Sequence, residues 1–235
     1  MRMNQTGFIY LADDEKEIRD LIKSFLEGAG HRVLAFENGE KLLSAFGEQA
    51  ADLVILDVMM PGKDGFTICK ELREISSVPI VLLTAKDADT DYIVGFGCGC
   101  DDYFTKPFSP VKLMMRVNAI LKREGIEKKN EIERLSLGNL SLEIPSKRCQ
   151  IGDRELKLTR IEWDLLYYLL ERRKQAVSRN ELLDEIWGYS ADVETRVTDD
   201  TIKRLRKKMA TERANVVIET VWGFGFRLDL KENEA

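Results

Sequence analysis

Five side chains of this sequence carry the chemistry: Asp13, Asp14, Asp57, Thr84 and Lys106. Asp57 closes the run Leu53-Val54-Ile55-Leu56-Asp57, and Val58-Met59-Met60-Pro61-Gly62 follows it. So short an apolar run, bounded by Asp52 and Pro-Gly, predicts a strand buried on both faces, the kind found in parallel sheets. A carboxylate at the C-terminal end of such a strand can ligate a cation or act as a nucleophile. The blander role, capping the next helix, is better suited to Asp64. Asp13 and Asp14 end another short apolar run, Phe8–Ala12. Thr84 is followed by the small Ala85, and Lys106 by Pro107, where the peptide bond could be cis.

The elements that must position these residues are legible as a repeat. Strands are expected at 8–12, 33–36, 53–57, 79–83 and 103–105. Helices are expected at 16–28, 40–46, 66–75, 92–97 and 112–122, the first marked by Ile18, Leu21, Ile22, Phe25 and Leu26 at helical spacing. Five βα units predict an α/β doubly wound parallel sheet in the flavodoxin-like order 2-1-3-4-5. That order brings Asp13 and Asp14 beside Asp57. Three clustered carboxylates repel one another unless a cation sits among them, and an oxygen-only donor set suits Mg²⁺. Lys106 at the same rim could neutralise a phosphoryl oxygen.

Composition sets limits. The chain has 235 residues, 44% of them hydrophobic, enough for one or two cores. No apolar run nears the roughly 20 residues that cross a bilayer, and no signal peptide is read, so a cytoplasmic protein is expected. Cys69, Cys98, Cys100 and Cys149 form neither a disulfide framework nor metal knuckles and are expected as reduced thiols. The lone histidine, His31, cannot build a histidine-based catalytic site by itself. Residues 1–124 carry net charge −5, and residues 135–235 are neutral.

The first half resembles the receiver domain of two-component response regulators. The resemblance rests on Asp13-Asp14, Asp57 with Met60-Pro61-Gly62, Thr84-Ala85 and Asp101-Asp102-Tyr103-x-x-Lys106-Pro107-Phe108. It implies that Asp57 accepts a phosphoryl group from a phosphohistidine of a sensor histidine kinase. It further implies that Asp14, Asp57 and the Met59 carbonyl ligate Mg²⁺ directly and Asp13 through water, while Thr84 and Lys106 hold phosphoryl oxygens. Thr84 and Tyr103 would form the switch, with homodimerisation on phosphorylation. Here the chain departs from the family, because Tyr92 and Lys112 replace a basic residue and a Glu that pair across the dimer. The expected ionic face is then Asp101, Asp102, Arg116 and Lys122.

Residues 125–134 are polar and read as a linker between a receiver domain, 1–124, and a second domain, 135–235. There the rhythm changes to short strands at 135–137, 140–144, 148–151 and 155–158. Thr159 with Glu162, and Ser178 with Glu181, form capping boxes for two helices. A third helix is expected from Thr195 to Met209, with Thr198, Ile202, Leu205 and Met209 inward. Its other faces carry Arg196, Lys203, Arg204, Arg206, Lys207 and Lys208. A hairpin, 216–221 and 226–230, closes the domain.

This half resembles the winged-helix effectors of the OmpR/PhoB class through Leu158-Thr159-x-x-Glu162-Trp163, Leu182-Leu183-x-x-Ile186-Trp187-Gly188, Arg204-Leu205-Arg206-Lys207-Lys208 and Thr220-Val221-Trp222-Gly223-x-Gly225-Phe226. The resemblance implies an α+β winged-helix fold binding double-stranded promoter DNA at tandem half-sites, with RNA polymerase as a candidate partner. Val197, Asp200, Thr201 and Arg204 are expected at base edges, Arg204 on a guanine, and Arg196, Lys203, Arg206 and Lys207 on phosphates. Asp200 would read a cytosine or repel wrong sites. Trp222 stands where many relatives have Arg, and is expected to pack or to stack on the DNA backbone. The wing is similar to that of some Gram-positive regulators, those of vancomycin resistance among them.

The function expected is thus a phosphorylation-dependent transcription regulator rather than an enzyme. A HAD-type phosphatase needs a second Asp two residues after its nucleophile, and Met59 stands there. A vestigial receiver on a constitutive, kinase-independent DNA-binding protein remains the alternative: the altered dimer face allows it, and the acidic cluster with Lys106 opposes it.

Overall fold

The computed structural model describes residues 6–85, 98–122, 134–188 and 196–231, without the side chains of Ala85 and Lys122. The helix expected at 92–97, Tyr92 and residues 125–133 lie outside them. The chain divides into two compact units, Met1–Ile126 and Glu127–Ala235.

In the first unit the strands are β1 (Phe8–Ala12), β2 (Arg32–Phe36), β3 (Leu53–Asp57), β4 (Ile80–Ala85) and β5 (Asp102–Lys106). They form one parallel sheet in the order β2-β1-β3-β4-β5, as the βα rhythm predicts. The described helices are α1 (Lys16–Gly28), α2 (Gly39–Glu48), α3 (Gly65–Ile75) and α4 (Pro110–Lys122). Every residue of β3 is buried, and alternation along it divides two cores. Val54 and Leu56 face Leu42, Phe46, Ile68 and Leu72 of α2 and α3. Leu53 and Ile55 face Ile22 and Leu26 of α1 and Leu113, Val117 and Ile120 of α4. Asp64 caps α3, its carboxylate accepting from Thr67 N at 2.7 Å, which leaves Asp57 uncommitted to capping. Gly65 is required where α3 starts, because a Cβ there would lie 2.2 Å from the Asp57 carbonyl.

In the second unit, β6 (Arg134–Leu137), β7 (Leu140–Glu143), β8 (Arg148–Ile151) and β9 (Arg154–Glu155) form an antiparallel sheet. The last of these is shorter than the expected 155–158. Then come α5 (Arg160–Glu171), β10 (Val177–Ser178), α6 (Arg179–Leu182) running into a π turn, Leu183–Trp187, and α7 (Val197–Thr211). The hairpin β11 (Val216–Val221) and β12 (Gly225–Leu230) takes the two-residue β10 on its free edge, giving the order β10-β12-β11. Gly225 permits that pairing, since a Cβ there would meet the Val177 carbonyl at 2.0 Å. Thr159 and Glu162 form the full capping box of α5. Ser178 caps α6 from its hydroxyl, but the Glu181 carboxylate accepts from the Tyr168 hydroxyl at 2.8 Å. The core joins Trp163, Leu166 and Leu170 of α5 to Trp187, Ile202, Leu205, Ile218 and Phe226. This is a receiver-like doubly wound unit followed by a winged helix.

Two groups of expected surface residues are instead interior. Asp101, Asp102 and Arg116, expected on an ionic dimer face, are all buried, at 0%, 1% and 2% exposure. Asp101 is held by Arg73, whose guanidinium also donates to the carbonyls of Val78 and Gly99, and it accepts from Ile80 N at 2.8 Å. Asp102 pairs with Arg116 of α4. Charges taken out of water need partners within the fold, and these have found them. Likewise Val197 and Thr201 are buried, at 4% and 0%, rather than turned to base edges. The inward stripe of α7 includes Val197, Thr198, Thr201, Ile202, Leu205 and Met209, the broader face of a helix packed on two layers. Thr201 satisfies its hydroxyl internally by donating to the Val197 carbonyl at 2.9 Å.

Candidate functional site

The sheet order places the ends of β1 and β3 side by side, and Asp13, Asp14 and Asp57 meet there. Each offers one oxygen, and these oxygens lie within 4.8 Å of one another. Asp13 and Asp57 are buried and Asp14 is exposed. Lys106, at the end of β5, reaches across β4's end into the cluster. Its Nζ lies 3.1 Å from Asp57 Oδ1, 3.0 Å from Asp13 Oδ2 and 3.5 Å from Glu15 Oε1. The Lys106–Pro107 peptide is cis. The Asp13 loop is fixed by Glu15 N donating to Asp13 Oδ1 at 2.9 Å and by Arg19 donating to the Asp13 carbonyl. In sequence Glu15 is only the end of an acidic run, and its contact with Lys106 follows from tertiary structure alone.

Burial pushes the Asp57 carboxyl up to about 6 from 3.8; Lys106 opposes the shift, and Asp13 and Asp14 add to it. Asp13 is raised for the same first reason, burial. Lys106 is raised by the carboxylates around it, against its own burial. One lysine therefore does not balance three carboxylates, and the cluster fits a hard divalent cation: all donors are oxygen, and exposed Asp14 leaves one side open to water. Thr84, half-buried, is the penultimate residue of β4, two strands from the one that Asp13 follows. Tyr103 on β5 is partly buried against the α2–α3 core, and the Met59 side chain points to solvent.

In the second unit, Arg196 at the N-cap of α7 and Lys203 and Lys207 along it are exposed. Arg204 is half-buried, its Nε 3.4 Å from the buried Glu162 carboxylate and a guanidinium nitrogen donating to Thr201 Oγ1 at 3.2 Å. Lys208 donates to Glu162 at 2.6 Å and to the Lys157 carbonyl at 3.0 Å. Arg206 donates to the Ile218 carbonyl at 2.7 Å and to Thr220 Oγ1 at 2.8 Å, tying α7 to β11. Asp200 is half-buried, and its Oδ2 has no hydrogen-bond partner among the described residues. Burial raises it to about 6, against Arg204.

Arg179, which sequence reasoning passes over, holds three elements together. Its guanidinium lies against both oxygens of Asp199 at the start of α7, and its backbone N donates to the Phe224 carbonyl in the hairpin turn at 3.2 Å. Among the described residues the indole of Trp222 stands out into solvent, 92% exposed.

Comparison with known proteins agrees with this geometry. Residues 9–118 match the response regulator receiver domain, and residues 153–228 match the C-terminal domain of transcriptional regulatory proteins. The transcriptional regulatory protein ResD of Bacillus subtilis is 35% identical over 97% of this chain and 99% of its own. The DNA-binding response regulator MtrA of Mycobacterium tuberculosis is 36% identical, covering 93% of this chain and 95% of its own. The crystal structure of DrrB, an OmpR/PhoB homolog from Thermotoga maritima, matches with 32% identity and a TM-score of 0.51, covering 96% of this chain and 100% of its own.

The chain belongs to the OmpR/PhoB family of response regulators. This response regulator is a phosphorylatable, DNA-binding transcriptional regulator, and its family implies a sensor kinase as partner. A point variant of RitR matches with a TM-score of 0.76 at 26% identity, over 95% of this chain and 99% of its own. No described helix is long and apolar enough to cross a membrane.

Proposed function

We propose that Asp57 is the phosphoacceptor of this response regulator, with Asp13, Asp14 and Asp57 holding Mg²⁺ and Lys106 and Thr84 receiving the phosphoryl oxygens. The observation that carries the reading is the Lys106 ammonium 3.1 Å from a buried Asp57 inside a three-carboxylate cluster. Phosphoryl transfer asks mainly for in-line positioning and charge neutralisation. An Asp57 oxygen forms the new bond to phosphorus as the bond to the kinase histidine nitrogen breaks. Lys106 then follows the charge from carboxylate to phosphoryl oxygen. Asp14, Asp57 and the Met59 carbonyl directly, and Asp13 through water, would hold Mg²⁺, which would supply further charge neutralisation at that point. Asp57 serves as a stoichiometric acceptor in the cytoplasm, not as a turnover nucleophile.

The added charge draws Thr84 toward the phosphoryl group, and Tyr103 follows into the space vacated. Receiver pairing then uses α4, where Val111, Lys112 and Met115 are exposed. On DNA, Arg196, Lys203 and Lys207 hold phosphates, and Arg204 and Asp200 reach base edges, Asp200 accepting from a cytosine amino group. Nothing in the described residues favours the kinase-independent alternative.

Sedimentation velocity with Mg²⁺, with and without beryllofluoride, tests the switch. Wild type should pass from monomer to dimer with the mimic, and Asp57→Ala should stay monomeric. A dimer present without the mimic would contradict the reading. A second expectation concerns salt: replacing both Lys203 and Lys207 with Ala should flatten the log–log salt dependence of DNA binding by about 1.8, near 0.9 for each phosphate no longer neutralised. An unchanged slope would remove both lysines from the interface.

A further inference from the structure

We propose that Asp200 reads one base pair of the bound DNA under the control of its own proton. As a carboxylate it accepts from the amino group of cytosine, and as a carboxylic acid it donates to the carbonyl of thymine. The inference rests on the DNA-binding reading above and deepens it. From the N-cap of α7 onward, Arg196, Asp200, Lys203 and Lys207 follow at intervals of four, three and four residues, a single line along the helix. The three basic residues of that line are exposed, and the stripe through Thr198, Ile202, Leu205 and Met209 is buried. Asp200 therefore lies within the basic face, in the first turn, where a helix in the major groove meets base edges. A carboxylate among groups that hold phosphates is repelled by DNA unless it accepts a hydrogen bond or takes up a proton.

The charged groups around it are largely engaged elsewhere. Asp199, its neighbour in the chain, is held by Arg179 of α6 at 3.1 Å. Arg204, one turn on, has its Nε 3.4 Å from Glu162 of α5 and donates to Thr201 Oγ1. Arg206 is turned to the Ile218 carbonyl and to Thr220 of β11. Arg196 and Lys203 flank Asp200 from the solvent side. Among the described residues Asp200 Oδ2 is shielded from water and accepts no hydrogen bond. An oxygen so placed loses hydration without compensation, which favours the neutral carboxyl. Burial raises the group to about 6; Arg204 opposes the shift, Asp199 adds to it, and Lys203 and Arg196 oppose it.

Rotation about Cβ–Cγ brings either oxygen to the groove. Cytosine and thymine carry opposite groups at the same place, the N4 amino donor and the O4 acceptor. A proton taken up from solvent thus turns an acceptor matched to cytosine into a donor matched to thymine.

The full chain is first used at pH 7.5, beside Asp200→Ala, to select from duplexes randomised over about 10 base pairs, one helical turn. The position at which only the wild type prefers cytosine marks the contact. Two duplexes differing there alone, C·G against T·A, are then titrated by DNA anisotropy from pH 7.5 to 5.5. The ratio of the two affinities should favour cytosine at pH 7.5 and fall about tenfold or more by pH 5.5. Asp200→Asn, which carries a donor and an acceptor at every pH, should hold its ratio constant. Asp57 titrates in the same range but is common to both proteins, so the comparison isolates Asp200. Absence of any such cytosine position, a wild-type ratio that does not change with pH, or an equal change in Asp200→Asn would overturn the proposal and leave the DNA-binding reading standing. No enrichment of any sequence by the wild type would overturn both.

Discussion

Asp57→Asn should abolish phosphoryl uptake from acetyl phosphate and, in the same protein, raise the stability of the Mg²⁺-free receiver. Both effects come from one carboxylate. Loss of the anionic oxygen removes the nucleophile, so intact-mass analysis should find no phosphoryl adduct on the variant. The stability gain follows from the raised proton affinity. An unfolded Asp ionises at its ordinary 3.8 and the folded Asp57 at about 6. Between these values unfolding releases a proton, so stability falls as pH rises from about 4 to 6, and the full cost is present at pH 8. A displacement of about 2 pH units corresponds to roughly 3 kcal/mol. Calorimetry without Mg²⁺ should place the variant on the order of 10 °C above wild type at pH 8 and about half as far above it at pH 5. Saturating Mg²⁺ should narrow the gap by stabilising wild type. A variant that melts at or below wild type at pH 8 without Mg²⁺ would show that Asp57 is not held at a cost.

The second large effect lies in the other unit. Glu162 is fully buried and accepts from Thr159 N at 2.8 Å and from Lys208 at 2.6 Å, with Arg204 Nε at 3.4 Å. Glu162→Ala removes the cap and the counter-charge together. Breaking a buried pair by removing one partner costs about 3–5 kcal/mol, and the part-exposed Lys208 can recover some hydration. We expect about 3 kcal/mol from urea unfolding, and a smaller loss for Glu162→Gln, which keeps shape and an amide oxygen. All three tryptophans, 163, 187 and 222, lie in the second unit, so their emission follows its unfolding without interference from the first. A loss within about 0.5 kcal/mol, typical of surface sites, would show that Glu162 does not organise this helix pair.

Much of this is legible from local pattern. The runs at Phe8–Ala12 and Leu53–Asp57 have a length and apolarity that suit a buried strand, and the residues that end them define the cluster. Asp64 and Thr159 are readable because a cap is a contact between neighbours in sequence. Errors arise where partners are distant. Asp101 looks like surface charge because Arg73, which neutralises it, lies on α3 and has no sequence relation to it. Val197 and Thr201 are turned outward in the sequence reading because a narrow stripe already accounts for one face of α7. Only the sheet and hairpin packed around that helix make the stripe wider. Glu162 announces itself as a cap, while its hold on Arg204 and Lys208 needs the fold.

The linkage through Arg179 has a bearing on how the regulated genes can change. One side chain joins the start of α7 to the hairpin turn, and Arg206 repeats the connection a few residues on. The helix and the hairpin therefore keep a constant separation. A promoter recruited to this regulator can drift in its letters, each substitution weakening or strengthening one contact. An inserted or deleted base pair between contacts made by these two elements would shift every later contact at once. Control regions answering to this protein should accordingly vary in sequence and agree in spacing.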